Sequence, residues 1–238
     1  MAITAILSSA EYPRPDEAVK LAGVRPEEIR DIVMSHSHWD HLGGIDLFPK
    51  ANVWIQKEGF RYYTGDAWQR GGVHRGIDPQ DVKELVRVNT EGRRPLVDGD
   101  NVEILPGVRA HAGGRHTFPS ESLRIEGDPP FVLAPTIAIF NGNLAEHKAS
   151  SDADHAANLK NQERMIQLAG GNPERVIPGH DALQFQKYPT TGRIAKIKWL
   201  VEPRHGVSPN DGRKPLRRCP QVNPMARAAW PPRPPPKT

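Results

Sequence analysis

The stretch MSHSHWDHLGGID, Met34–Asp46, sets His36, His38, Asp40 and His41 within six residues. It overlaps the run DIVMS, Asp31–Ser35, which reads as a short strand, so the histidines fall where that strand runs out into a loop. Two apart in extended backbone, His36 and His38 project to the same side of the chain. Asp40 and His41 follow as the chain turns towards Leu42, and Gly43 and Gly44 let the backbone crowd the site without a Cβ. Imidazole nitrogen with carboxylate oxygen is a ligand set that suits Zn²⁺, with Mn²⁺, Fe²⁺ or Co²⁺ as alternatives. Crowding several imidazoles together without an ion to hold would carry a desolvation cost, so the cluster reads as a metal site.

Outward from this cluster the chain alternates helix and strand signals. PDEAVKLAG opens on acids and ends on glycine, which predicts a helix over Asp16–Ala22 with Gly23 as its C-cap, and RPEEIR repeats the entry signal with Pro26 in a first-turn position. ANVWIQ reads as a strand and PQDVKELVRV as a helix. NVEIL, VRAHAG, ESLRIEG and FVLAPTIAIF follow as strands between Gly and Pro turns. SDADHAANLKNQERMIQLAGG has a Ser/Asp entry, apolar residues at Ala156, Leu159, Met165, Ile166 and Leu168, and a double-glycine exit, which together predict a long helix. ERVIPGHD returns as a strand that ends in His180. Alternation of this kind implies an α/β architecture with loops gathered at strand ends.

Composition bounds the rest. At 238 residues with 37% hydrophobic side chains, the chain suffices for one sizeable domain, and no apolar run nears the ~20 residues of a membrane span. The opening MAITAILSSAEYPRP lacks a basic segment before its apolar patch and does not read as a signal peptide. The single cysteine, Cys219, forms no internal disulfide and fits a reducing compartment, so a cytoplasmic location is expected. The net charge of +4 is uneven: residues 203–238 carry 8 Lys and Arg against 1 acid, leaving residues 1–202 at −3. A basic tail binds acidic polymers weakly and without sequence preference, so no specific nucleic-acid partner is expected. With 10 of the 24 prolines, residues 203–238 read as a disordered tail behind a single domain over 1–202.

The segment HSHWDH fits the His-x-His-x-Asp-His signature of the metallo-β-lactamase superfamily, and the Leu-Gly-Gly-Ile after it continues the likeness. The chain resembles that family over about residues 16–200. The resemblance implies an αβ/βα sandwich and further ligands downstream. AGGRHTFPSES resembles the family's Gly-rich turn and offers His116; His111 competes but stands inside the strand. VIPGHD resembles the family's last ligand loop and offers His180. By this likeness His36, His38 and His116 hold one metal, and Asp40, His41 and His180 a second. The activity implied is hydrolysis of an ester, lactone, thioester, amide or phosphoester by a metal-bound hydroxide. Asp40 is the catalytic candidate, since it would both ligate metal and orient or deprotonate the attacking water.

Three departures stand beside the likeness. The family's bridging aspartate, sought in FVLAPTIAIFNGNL, falls on Thr136 here, a neutral and weaker ligand. Ile139 takes the place of a tyrosine that N-acyl homoserine lactonases carry three residues later. Only 35 residues precede His36, which reads as a sandwich shortened at its N-terminus, with exposed edges and the option of completion by a homo-oligomer. The GGRHT loop and the NLAEHKAS run still look most like the lactonase branch, so the function expected is metal-dependent cleavage of a small-molecule carboxylic ester or lactone. The alternatives are a non-catalytic or weakly active relative acting as a binding module, and a glyoxalase II-like thioester hydrolase.

Other residues carry weaker signals. Asp152, Asp154 and His155 suit a helix N-terminus better than a metal. His74 and His147 read as loop histidines that could line a pocket, and Phe185 and Tyr188 as candidates for its rim. GFRYYTGDAWQRGG, Gly59–Gly72, reads either as a flap over an apolar substrate or as a helix end packed on the sheet.

Overall fold

The computed structural model of the chain describes residues 14–113, 116, 117, 119–135, 138, 140–150, 154–181, 183–188, 190, 191, 197 and 198. Helix α1, Pro15–Leu21, starts on a proline whose missing N–H costs nothing there, and Gly23 follows at φ +79°. A 3₁₀ turn at Pro26–Glu28 leads into β1, Asp31–Val33. The one-turn helix α2, Trp39–Leu42, precedes β2, Asn52–Gln56, and α3, Lys57–Tyr63. Helix α4, Pro79–Thr90, is capped by Asp78, which accepts from Gln80 N at 2.7 Å. Strands β3, Leu96–Val97, β4, Val102–Leu105, β5, Val108–Ala112, β6, Glu121–Ile125, and β7, Phe131–Ala134, follow. After them come α5, Asn141–Ala145, α6, His155–Leu168, β8, Val176–Pro178, α7, Gln184–Lys187, and the short pair β9, Thr190–Thr191, and β10, Ile197–Lys198.

Strands β1, β2 and β3 form a parallel sheet in that order. Strands β4 to β7 run as an antiparallel meander, and β8 joins β7 in parallel, the pairing a helical crossover through α6 permits. Period-two alternation along each strand sorts the side chains into layers. Val53 and Ile55 of β2 turn to one face, where Leu85 and Val88 of α4 cover them together with Met34, Leu42 and Ile45. Trp54 turns to the other face, where Val33, Val97, Ile104, Ala110 and Leu123 fill the space between the sheets. On the far side of the second sheet, Val132 and Ala134 of β7 and Val176 of β8 pack under Met165 and Ala169. The result is a four-layer αβ/βα sandwich. Each fully buried Val, Leu or Met contributes ~1.5–3 kcal/mol through removal of apolar surface from water.

Three expectations need correction. FVLAPTIAIF keeps strand geometry only to Ala134, because Pro135 has no N–H to continue the ladder and turns the chain. The buried face of α6 is Asn158, Gln162 and Met165 rather than an apolar stripe through Ala156 and Leu159. Gln162 Nε2 donates to Lys148 O at 2.8 Å and Asn158 Nδ2 to Ser150 Oγ at 3.0 Å, so the amides satisfy a loop that an apolar face would leave unpaired. Tyr188 does not turn to a pocket rim: its hydroxyl donates to Glu174 O. Phe185's side chain, Asp152, Thr136, Ile139 and the tail at 203–238 lie outside the described residues.

Candidate metal centre

Met34 N donates to Trp54 O at 2.9 Å, continuing the pairing of β1 with β2, and Ser35 O accepts from Glu121 N at 2.8 Å. The end of the first sheet is thereby tied to the start of β6 in the second. From this junction the chain delivers His36, buried at 3% exposure, then His38, and the turn of α2 swings Asp40 and His41 to the same side. His116 arrives from the second sheet in the turn after β5. That turn is closed by Gly113 N donating to Ser120 O at 2.9 Å and Thr117 N to Ser120 Oγ at 3.2 Å. His180 follows β8, where a Cβ on Gly179 would lie 2.3 Å from Pro135 O, so only glycine fits. Asp181 anchors this loop by accepting from Asn141 N at 2.7 Å and Leu183 N at 2.9 Å.

The six side chains converge. His38 Nδ1 and His116 Nε2 stand 3.2 Å apart, and the ligand atoms of His36, His38 and His116 all fall within 4.8 Å of one another. The same span holds for His36, Asp40 and His41. His180 Nε2 lies 3.2 Å from His41 Nε2 and 3.7 Å from Asp40 Oδ2, which joins it to that second group. His36 stands between the two, its ring centroid 4.7 Å from that of His38 and 4.1 Å from that of His41.

Burial, with the neighbouring imidazoles of His41, His38 and His116, pushes His36 down to about 2. His116 is held at about 4 by burial and by His38 and His41, and burial lowers His38 as well. The hydrogen bond to His41 holds the Asp40 carboxyl well below the usual carboxylate range, against a desolvation that opposes it. The ring nitrogens of His38 and His116, and of His41 and His180, face one another beside the ionised carboxylate of Asp40. That donor set fits one or two divalent cations. Ser35 adds orientation, its Oγ lying 3.1 Å from His36 Nδ1 and 3.3 Å from His41 Nδ1 and leaving Nε2 of each ring for the centre.

The remaining candidates lie elsewhere. His111, 2% exposed, faces Arg164 Nη2 at 3.3 Å and Asp100 Oδ1 at 3.8 Å beneath α6. Asp154 caps α6 by accepting from Ala157 N at 2.9 Å, and His147 Nε2 meets Glu163 at 3.4 Å. His74 stacks on Trp68 at 4.5 Å. Gly59–Gly72 follows the helix-end reading, with α3 and a 3₁₀ turn at Asp66–Trp68. Sequence reasoning passed over Ser35, though it adjoins His36. It also passed over the buried pair of Gln56 and Glu121, whose Nε2 and Oε2 atoms meet at 2.6 Å between the sheets; 65 residues separate them, so no local pattern announces the contact.

A profile of the Metallo-beta-lactamase superfamily matches residues 7–180, with the whole cluster inside it. The chain belongs to that superfamily. Among superfamily relatives, the N-acyl homoserine lactonase AttM of Rhizobium johnstonii is 27% identical over 179 residues, covering 72% of this chain and 65% of the relative. The chain thus spans just under two thirds of that relative's length. The metallo-beta-lactamase domain-containing protein 1 of Rattus norvegicus is 26% identical over 174 residues, covering 70% of this chain and 55% of that protein. In fold, the chain is similar to a B. thuringiensis AiiA variant with N-decanoyl-L-homoserine bound at its active site, with a TM-score of 0.57, 20% identity, and coverage of 72% of this chain and 63% of that one. It is also similar to AidC, a dizinc quorum-quenching lactonase, with a TM-score of 0.55, 18% identity, and coverage of 78% and 68%. Among the described residues no helix is long and apolar enough to cross a membrane.

Proposed function

We propose that this chain is a metal-dependent hydrolase of a carboxylic ester or lactone. The observation that carries the reading is the convergence of five imidazoles and one carboxylate, drawn from both sheets, at the strand ends. In this reading His36, His38 and His116 hold a first ion and Asp40, His41 and His180 a second. Zinc suits so nitrogen-rich a set, with manganese, iron or cobalt as alternatives.

A divalent cation there supplies Lewis acidity and lowers the pKa of water to about 7. The protein's own groups do the rest. Asp40, kept ionised, takes the proton of the attacking water and passes it to the leaving alkoxide. Ser35 fixes which ring nitrogens face the reacting groups. An apolar cavity of about 260 Å³ lies beside the centre, with Leu123, Leu133 and Ile177 in its wall and Ser35 and His41 at its polar end, which supports a substrate with an apolar portion. The lactonase relatives support the lactone branch.

The test is metal content per chain, with hydrolysis of an acyl homoserine lactone and a chromogenic ester measured with and without added Zn²⁺ or Mn²⁺. Near two ions and metal-dependent turnover, both lost in His36→Ala/His38→Ala, are expected. A protein that binds metal yet turns over neither substrate would make it a binding module instead. Thr136→Asp then asks whether a bridging carboxylate raises occupancy of the second site.

A further inference from the structure

A metal-ligating histidine turns one ring nitrogen to the ion and in most sites has the other engaged by a neighbouring group. His36 and His41 have Ser35 for this purpose, but His38 turns the opposite way, Nδ1 towards His116 at 3.2 Å. Its Cδ2–Nε2 edge lies against a loop outside the histidine motif, residues 72–77. A Cβ on Gly76 would lie 2.9 Å from His38 Cδ2 and 3.1 Å from Nε2, and Gly76 itself sits at φ +77°. The Arg75 backbone raises the pKa of the same imidazole against the effect of burial, and Gly76 O accepts from Trp39 N at 2.9 Å.

The loop is pinned at its other end. A Cβ on Gly72 would fall 2.3 Å from Asp66 O and 2.4 Å from Ala67 O, so the backbone is pressed onto the turn after α3. Val73 N donates to the Tyr62 hydroxyl at 2.8 Å. His74 donates from Nδ1 to Ala67 O at 2.8 Å while its ring stacks on Trp68, whose Nε1 donates to Tyr63 O at 2.6 Å. A chain of contacts therefore runs from the α3 exit through His74 to the back of His38.

We propose that residues 72–77 form a positioning element for the metal centre, in which Arg75 and Gly76 hold His38 in the Nε2-protonated tautomer and His74 pins the loop. An imidazole that ligates through Nδ1 needs its other nitrogen protonated and engaged, and a backbone carbonyl is a partner that fixes both tautomer and ring plane. The glycine is required because any side chain would occupy the space of the ring it supports.

This rests on the reading of His38 as a ligand, and the experiment separates the two. Ring ¹⁵N shifts of metal-free protein, assigned with His38→Gln, report the tautomer of His38 directly in the wild type. The Nε2-protonated form is expected; the Nδ1-protonated form overturns the proposal without any variant having to fold. Competition with a chelator then gives Zn²⁺ affinity for Gly76→Ala and for His74→Phe, which keeps the stack and loses the hydrogen bond. Gly76→Ala is expected to weaken binding about 10–100-fold, the range for supporting groups of metal ligands, and His74→Phe by less. Wild-type affinity and tautomer in a folded Gly76→Ala overturn the loop's role alone. Wild-type affinity in His38→Gln overturns the ligand reading, and the loop's role falls with it.

Discussion

One hydroxyl, that of Ser35, faces two imidazole nitrogens, 3.1 Å from His36 Nδ1 and 3.3 Å from His41 Nδ1. An oxygen has two lone pairs, so it can accept from both rings at once and set both tautomers together. Ser35→Ala is therefore expected to weaken metal binding by about 10–100-fold, read by chelator competition, while Ser35→Thr keeps the hydroxyl and most of the affinity. Equal affinities across the three proteins would remove Ser35 from the site. At this scale the ligands were legible where they crowd together: His36, His38, Asp40 and His41 share a strand end, and glycines mark the turns that bring His116 and His180. Ser35 was not, because serine before a histidine is ordinary until the fold brings His41 back over it. Gly76 was not either, since the ring it backs is 38 residues away in the chain.

Elements meet at a second buried polar contact. Gln56 of β2 donates to Glu121 of β6 between the sheets, and burial pushes the Glu121 carboxyl up to about 8. The folded chain then keeps a proton that the unfolded chain releases near 4.5. Stability from this group is whole below that lower value, falls as pH rises, and levels off above about 8. Each pH unit in that window costs ~1.4 kcal/mol at most, a few kcal/mol in total. Glu121→Gln, which keeps the shape and removes the titration, is expected to flatten the slope and to be the more stable protein at pH 8.5 and not at pH 4. Urea midpoints against pH, taken with chelator present, measure this; parallel curves would mean that Glu121 ionises freely. Helix α4 offers a simpler lever. Asp78→Ala removes its cap and should cost about 1 kcal/mol by thermal melt. The stretch PQDVKELVRV read as this helix from the sequence, whereas the buried face of α6 was not legible, since Asn158 and Gln162 are inside only because the loop at Lys148–Ser150 needs their hydrogen bonds.

For the molecule as a whole, the centre sits where the two sheets meet. His36, His38, Asp40 and His41 come from the end of the parallel sheet, and His116 and His180 from the turns of the other. The alternation of helix and strand signals could be read as an α/β architecture, and the likeness carried by HSHWDH implied the sandwich. Which strands become neighbours could not be read, because pairing such as β7 with β8 joins segments more than 40 residues apart. An ion held by ligands from both sheets cross-links them in the folded state alone, so it must stabilise the fold by mass action. Free metal at 1,000 times Kd adds ~4.1 kcal/mol per ion, or about 8–16 °C in Tm for a domain of this size. Chelation of the metal-loaded protein is expected to lower Tm by that order, and His36→Ala should melt low with or without chelator. A Tm that ignores chelator in the wild type would mean that the six donors meet without holding an ion that bridges the sheets, and that Ser35, Glu121 and the packing of both layers onto α4 and α6 keep the sandwich closed by themselves.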